Sequence, residues 1–237
     1  MSSWMKLEST RSHQVALAGQ VSDRETGQTI GNAIVEITAM PDAFEKKRSL
    51  QALRYGSEWE TLAKRCDRTI SAIDGFFHFI DLPPGEYTLT ASLPGAAARY
   101  KNGTIAVTVP PVPPSGDNPS QPKFAFANLA LSPSGIRGKV TDLEGVAIGR
   151  VNVKIQGSGE STVTNDEGKF QLIGLEAPIK EGSKRTANIV FSAKGYPEQT
   201  ETLEFSLGEV VEKNISLTKQ QATVSAKTKT SKKNNTS

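Results

Sequence analysis

The chain has 237 residues, 36% hydrophobic and only 6% aromatic, with 20 glycines, 13 prolines and one cysteine. That length holds one large domain or two small ones, and the single cysteine, Cys66, excludes an intrachain disulfide and agrees with a reducing compartment. The net charge of +3 comes from the end of the chain: Lys219 to Ser237 holds five Lys and no acid, and the other 23 basic residues against 25 acidic ones leave residues 1–218 at −2. A nucleic-acid binder carries its positive charge on a folded face, so nucleic acid is not an expected partner.

Residues 1–13 read as a flexible N-terminus without the apolar core of a signal peptide. No run approaches 18 apolar residues, so no membrane-spanning helix is expected. The default placement is cytoplasmic, with leaderless export inside an assembly left open. A first module is expected over 14–131. It opens with Gly19-Gln20-Val21-Ser22-Asp23 and continues with Ala33 to Ile37, whose alternation marks a half-buried strand. An insertion follows from 41 to 68. It is expected to be mainly helical, with Trp59, Leu62, Ala63 and Cys66 as one apolar stripe, Ala43, Leu50 and Leu53 in an earlier turn or two, and Gly56 as the break. Asp74-Gly75 predicts a tight turn, Phe76 to Leu82 and Tyr87 to Ser92 two further strands. The proline-rich stretch 110–122 reads as a stiff loop inside this module. A final strand is expected over Lys123–Leu131, then a short joint, Ser132-Pro133-Ser134.

The second module, 135–218, repeats the first. Gly138-Lys139-Val140-Thr141-Asp142 answers the opening strand, Val151 to Ile155 the second, Asp166-Glu167-Gly168-Lys169-Phe170 the turn, and Val210–Leu217 the last strand. Residues 219–237 are expected to be a disordered Lys-rich tail. About seven short strands per unit predict an all-β fold of two tandem β-sandwiches, the first with a mainly helical insertion.

The spacing of Gly19, Val21, Asp23, Asp74, Gly75, Phe77, Phe79, Leu82, Pro83, Gly85, Tyr87 and Leu89 resembles the carboxypeptidase regulatory-like domain. Gly138, Val140, Asp142, Asp166, Gly168, Phe170, Leu172 and Leu175 carry the same pattern, which departs at Glu176-Ala177-Pro178. The resemblance implies a prealbumin-like Greek-key sandwich and an accessory role. The insertion and the strands after it also resemble proteins found with bacterial contractile, phage-tail-like injection systems, which implies a structural part of such a particle.

Catalytic chemistry is not expected. A zinc carboxypeptidase needs two His and a Glu around its metal, and only His13 and His78 occur, with no His-x-x-Glu. His13 falls in the N-terminus, and His78 reads as a strand residue on the face opposite Phe77 and Phe79. Cys66 has no His near it in sequence and reads as packing. Asp23, Asp74, Asp142 and Asp166 read as turn formers before calcium ligands. An isopeptide link between Lys139 and Asn214 is not expected, because the period of two turns both outward. No cofactor or metal is expected.

Two binding readings remain. The first is a structural or docking module in a larger protein assembly, with Phe44, Tyr55 and Trp59 as candidate partner-binding residues. The same aromatics have a second explanation, packing the insertion on its own sandwich. The alternative function is glycan binding, for which Tyr87, Tyr100 and Tyr196 are the platforms outside the insertion.

Overall fold

A computed structural model describes residues 14–62, 65–111 and 124–219. The N-terminus 1–13, most of the proline-rich loop and the tail from 220 onward lie outside the described residues. By its contacts the chain divides into two compact units, Met1–Ile136 with Leu172–Thr186 and Glu204–Val211, and Arg137–Gln171 with Ala187–Leu203 and Glu212–Ser237.

The first repeat contains β1 (Val15–Asp23), β2 (Ile34–Ala39), helix α1 (Asp42–Tyr55), β3 (Arg68–Ile70), β4 (Phe76–Ile80), β5 (Gly85–Ser92), β6 (Tyr100–Lys101), β7 (Gly103–Val109), β8 (Ala125–Phe126) and β9 (Leu129–Pro133). One sheet runs β4-β1-β9-β6, with β8 also on β1, and the other runs β3-β2-β5-β7. The first strand is antiparallel to β4 and parallel to β8 and β9. Leu17, Val21, Phe77, Phe79, Leu129 and Leu131 face inward from the first sheet, and Val35, Ile37, Tyr87 and Leu89 from the second. Both sets follow the period of two.

The last strand is broken, where the sequence predicts one run from Lys123 to Leu131. Its backbone crosses β1 where that strand has a glycine. A Cβ on Gly19 would sit 1.7 Å from the Ala127 carbonyl oxygen. The next residue, Asn128, leaves the ladder, and its side-chain Oδ1 accepts the Gln20 N–H at 3.2 Å.

The second repeat contains β10 (Gly135–Asp142), β11 (Asn152–Ile155), β12 (Ser161–Val163), β13 (Lys169–Ile173), β14 (Arg185–Ser192), β15 (Gln199–Phe205), β16 (Val210–Glu212) and β17 (Ile215–Leu217). Its sheets run β13-β10-β16, with β17 on β10, and β12-β11-β14-β15. It uses the same device at its last strand: a Cβ on Gly138 would lie 1.7 Å from the Lys213 oxygen, and Asn214 Oδ1 accepts the Lys139 N–H at 2.9 Å. The side chains of Lys139 and Asn214 are both exposed, while Val140, Ile215 and Leu217 are buried.

The helix of the insertion lies in its first half, over the Ala43, Leu50 and Leu53 turns and up to the expected break at Gly56, and not over the Trp59 stripe. Helix α1 starts after Pro41, carries Asp42 and Glu45 in its first turn and Arg54 in its last, and ends at Gly56, with φ 55°. That distribution suits the helix dipole, and Gly tolerates the positive φ at the stop. The expected stripe from Trp59 to Cys66 is instead a short 3-10 turn, Gly56–Thr61, followed by extended chain at Leu62. Cys66 lies in a turn before β3. The extended backbone of Leu62, φ −63° and ψ 124°, stops the 3-10 turn from continuing as α-helix.

Candidate functional site

Of the three aromatics proposed as partner contacts, two face inward. Phe44 is buried and meets the Tyr87 ring edge-on, with centroids 5.8 Å apart. Trp59 is 6% exposed, with the Arg65 guanidinium 5.0 Å over its ring. Phe44 packs in the core of the first sandwich, while Trp59 is buried against Tyr55 and Arg65 of the insertion itself. Tyr55 is 43% exposed, its ring tilted toward Trp59 at 6.3 Å. Leu50, 69% exposed, and Leu53, 80% exposed, share a different face of α1.

A charged cluster that the sequence reading missed ties the 3-10 turn to β2 and β3 and reaches α1 through Arg48. Arg65 Nε donates to Asp67 Oδ1 at 2.9 Å, Nη1 to Glu60 Oε2 at 2.8 Å and Nη2 to Glu36 Oε1 at 3.1 Å. Arg68 Nε also donates to Glu36 Oε1. The Arg65 and Asp67 side chains are both nearly buried, and removing Arg65 would leave Asp67 only the more distant Arg48 as a charge partner. Arg48 of α1 approaches Asp67 at 3.7 Å. The signal was present as Arg65-x-Asp67-Arg68 beside the outward Glu36 of β2, but only the register Glu36↔Arg68 brings them together.

A cavity of about 410 Å³ opens beside this cluster, lined by residues that include Lys47, Arg65, Cys66, Arg68, His78 and Asp81. The fold therefore brings Cys66 and His78 to one cavity, which their separation in sequence hid. Burial pushes the Cys66 thiol up, and the neighbouring Asp67 carboxylate adds to it; Lys47 and Arg48 pull the other way without reversing the shift. A raised thiol is a poor nucleophile at neutral pH.

The turn aspartates divide. Asp23 Oδ1 accepts the N–H groups of Glu25 and Thr26, and Tyr100 donates its hydroxyl to Asp23 Oδ2 at 3.0 Å. Asp142 Oδ1 accepts those of Glu144 and Val146. Asp74 accepts from Phe76 N–H. At the matching turn of the second repeat the acceptor is Asn165, not Asp166: its Oδ1 takes the Glu167 and Lys169 N–H groups. Two buried hydroxyls also pair across the repeats. Ser71 Oγ accepts the Ala33 N–H and donates to the Ile30 carbonyl, and Thr164 Oγ1 does the same for Val151 and Ile148. Among the described residues no group of three or more His, Cys, Asp or Glu is placed to hold a metal ion. Among them, too, no helix is long and apolar enough to cross a membrane.

Residues 135–218 match the carboxypeptidase regulatory-like domain. The match covers the second repeat, where the sequence resemblance had already placed that domain. A search of curated proteins returns no match. Among solved structures, the shaft pilin SpaA from Lactobacillus rhamnosus GG is 11% identical with a TM-score of 0.34, over 86% of this chain and 96% of that one. The Streptococcal ancillary pilin is 11% identical with a TM-score of 0.32, over 86% of this chain and 62% of that one. The Bacillus anthracis TIE protein is 13% identical with a TM-score of 0.31, over 86% of this chain and 34% of that one. The chain thus spans about a third of the TIE protein and less than two thirds of the ancillary pilin. Likenesses of that size say nothing of function.

Proposed function

We infer that the chain is a non-catalytic structural or docking component of a protein assembly, and that its partner contact lies on the insertion of the first repeat. The observation that supports this most is the exposed apolar end of α1. Leu50, Leu53 and Tyr55 stand in solvent on a helix that Phe44, Trp59 and the Arg65 cluster fix in place. Leu50 and Leu53, three residues apart, share one helix face, and rigid presentation of an apolar pair lowers the entropy cost of binding. The half-buried Cys66, its thiol raised above the ordinary range, supports the non-catalytic half of the reading.

The glycan alternative has less support, because Tyr87, one of its platforms, is buried and donates its hydroxyl to the Pro83 carbonyl. The family and structural matches reported above name no component of a contractile injection particle, so the kind of assembly is left open. The test is quantitative capture from cells that make the protein, using wild type and a Leu50→Ser, Leu53→Ser, Tyr55→Ser variant. Loss of captured partners with unchanged melting supports the reading, and equal capture by both proteins removes it.

A further inference from the structure

The outer face of the sheet containing β1 differs between the two repeats. In the first repeat β4 points Phe76, His78 and Ile80 outward, with Phe76 47% exposed. On the other side of β1, Phe126 is 55% exposed, and Phe124 is exposed as well. The register places His78 and Phe126 on either side of Ala18, and Phe76 beside Gln20. Neighbouring strands lie about 4.8 Å apart, so these side chains form two ridges roughly 10 Å apart. The floor between them is Ala16 and Ala18. The result is a shallow trough with no Lys, Arg, Asp or Glu among the described residues of its floor and ridges.

The second repeat supplies an internal control. Three anchors align the strands: Gly19 with Gly138, Phe77 with Phe170, and Asn128 with Asn214. By that alignment Lys169 stands for Phe76, Gln171 for His78, Arg137 for Ala18, Lys139 for Gln20 and Glu212 for Phe126. Arg137 and Glu212 form an ion pair at 3.6 Å. The fold therefore accepts a charged face here, and the apolar one is not needed to build the sandwich.

We propose that this trough is a self-association face, occupied by the same face of a second copy of the chain. Two-fold pairing needs a surface complementary to itself. A trough bounded by ridges meets that need, because the Phe124–Phe126 ridge of one copy can enter the alanine floor of the other. An anionic membrane surface or a charged partner would call for cations or complementary charge on the face; its floor and ridges carry neither, and Lys47, Arg65 and Arg68 line the separate cavity on which His78 and Ile80 also open. Half-exposed phenylalanines offer roughly 100 Å² each. With Val15, His78, Ile80 and the alanines the face offers roughly 500 Å² per copy, and about 1,000 Å² per pair is the lower bound for a specific interface. The dimer is accordingly expected to be reversible.

Sedimentation velocity on the full chain from about 1 to 100 μM, which brackets a micromolar dissociation constant, tests the proposal. Wild type should move from monomer to dimer with concentration. A Phe76→Lys, Phe126→Glu variant, carrying the residues of the second repeat, should weaken the dimer at least ~100-fold, as loss of central aromatic contacts does, with circular dichroism unchanged. If that variant does not fold, Ala18→Arg, the residue that Arg137 supplies in the second repeat, reads out the same loss. A wild-type monomer throughout the range overturns the proposal, and so does a dimer that persists in a folded variant. Because Leu50, Leu53 and Tyr55 are untouched, this test can fail while partner capture succeeds, and the reverse.

Discussion

Gly19 and Gly138 have no room for a side chain, and the reason is the neighbouring strand rather than their own φ. Each would place a Cβ 1.7 Å from a backbone oxygen, a clash that only movement of the last strand relieves. Gly19→Ala should therefore cost about 3 kcal/mol or more. Gly159→Ala, at a position with nothing within 4 Å, should stay within about 0.5 kcal/mol; urea unfolding of both variants makes the comparison. The buried hydroxyls give a second residue-scale prediction. Ser71→Ala and Thr164→Val each strand a buried N–H and a carbonyl, at about 1–3 kcal/mol per site. Two tyrosines titrate late. Burial lifts Tyr87 to about 12, and burial followed by the Asp23 bond lifts Tyr100 to about 12. Their ordinary value is about 10, so between pH 10 and 12 the folded state holds protons that the unfolded state has lost. Stability from both is full below pH 10 and falls as the pH rises toward 12. Absorbance titration should show two of the four tyrosines ionising only as the protein unfolds in alkali. The glycines were legible as a repeated motif. The hydroxyls were not, because Ser71-Ala72 and Thr164-Asn165 share no spelling and only the fold reveals their common bonds.

At the scale of elements, strand positions could be read more closely than helix positions. Strands alternate with a period of two, and that pattern put Val35, Ile37, Phe77 and Phe79 on the inner face, where they are found. The insertion carries no comparable pattern. Its clearest apolar spacing, Trp59 to Cys66, belongs to a turn and a β-entry. Its true helix, α1, buries only Phe44 among its residues and leaves Leu50 and Leu53 exposed. A helix held by one ring and a charge cluster has no amphipathic stripe to read. The insertion should therefore depend on its anchors. Trp59→Ala should cost about 3–5 kcal/mol, and Arg65→Met should be strongly destabilising because Asp67 stays buried and loses its principal charge partner. Differential scanning calorimetry on both should show a lowered Tm. If Trp59→Ala instead melts like wild type and loses a partner, the packing role assigned to Trp59 is wrong.

The whole molecule holds two versions of one sandwich with different surfaces. The fold class and the repeat were legible from turn glycines and alternating strands. The candidate surfaces were not, because whether Phe76, Phe126 or Leu53 is buried depends on which strands and helices cover it. Both proposed contacts, the α1 tip and the sheet trough, fall on the first repeat, while the matching face of the second is charged. Cross-linking mass spectrometry on the assembled protein tests that asymmetry most directly, because lysines mark both repeats. The asymmetry predicts that intermolecular cross-links concentrate on Lys46 and Lys47 of α1. Cross-links concentrated on Lys139, Lys154 and Lys169 instead, with Lys46 and Lys47 silent, would contradict it.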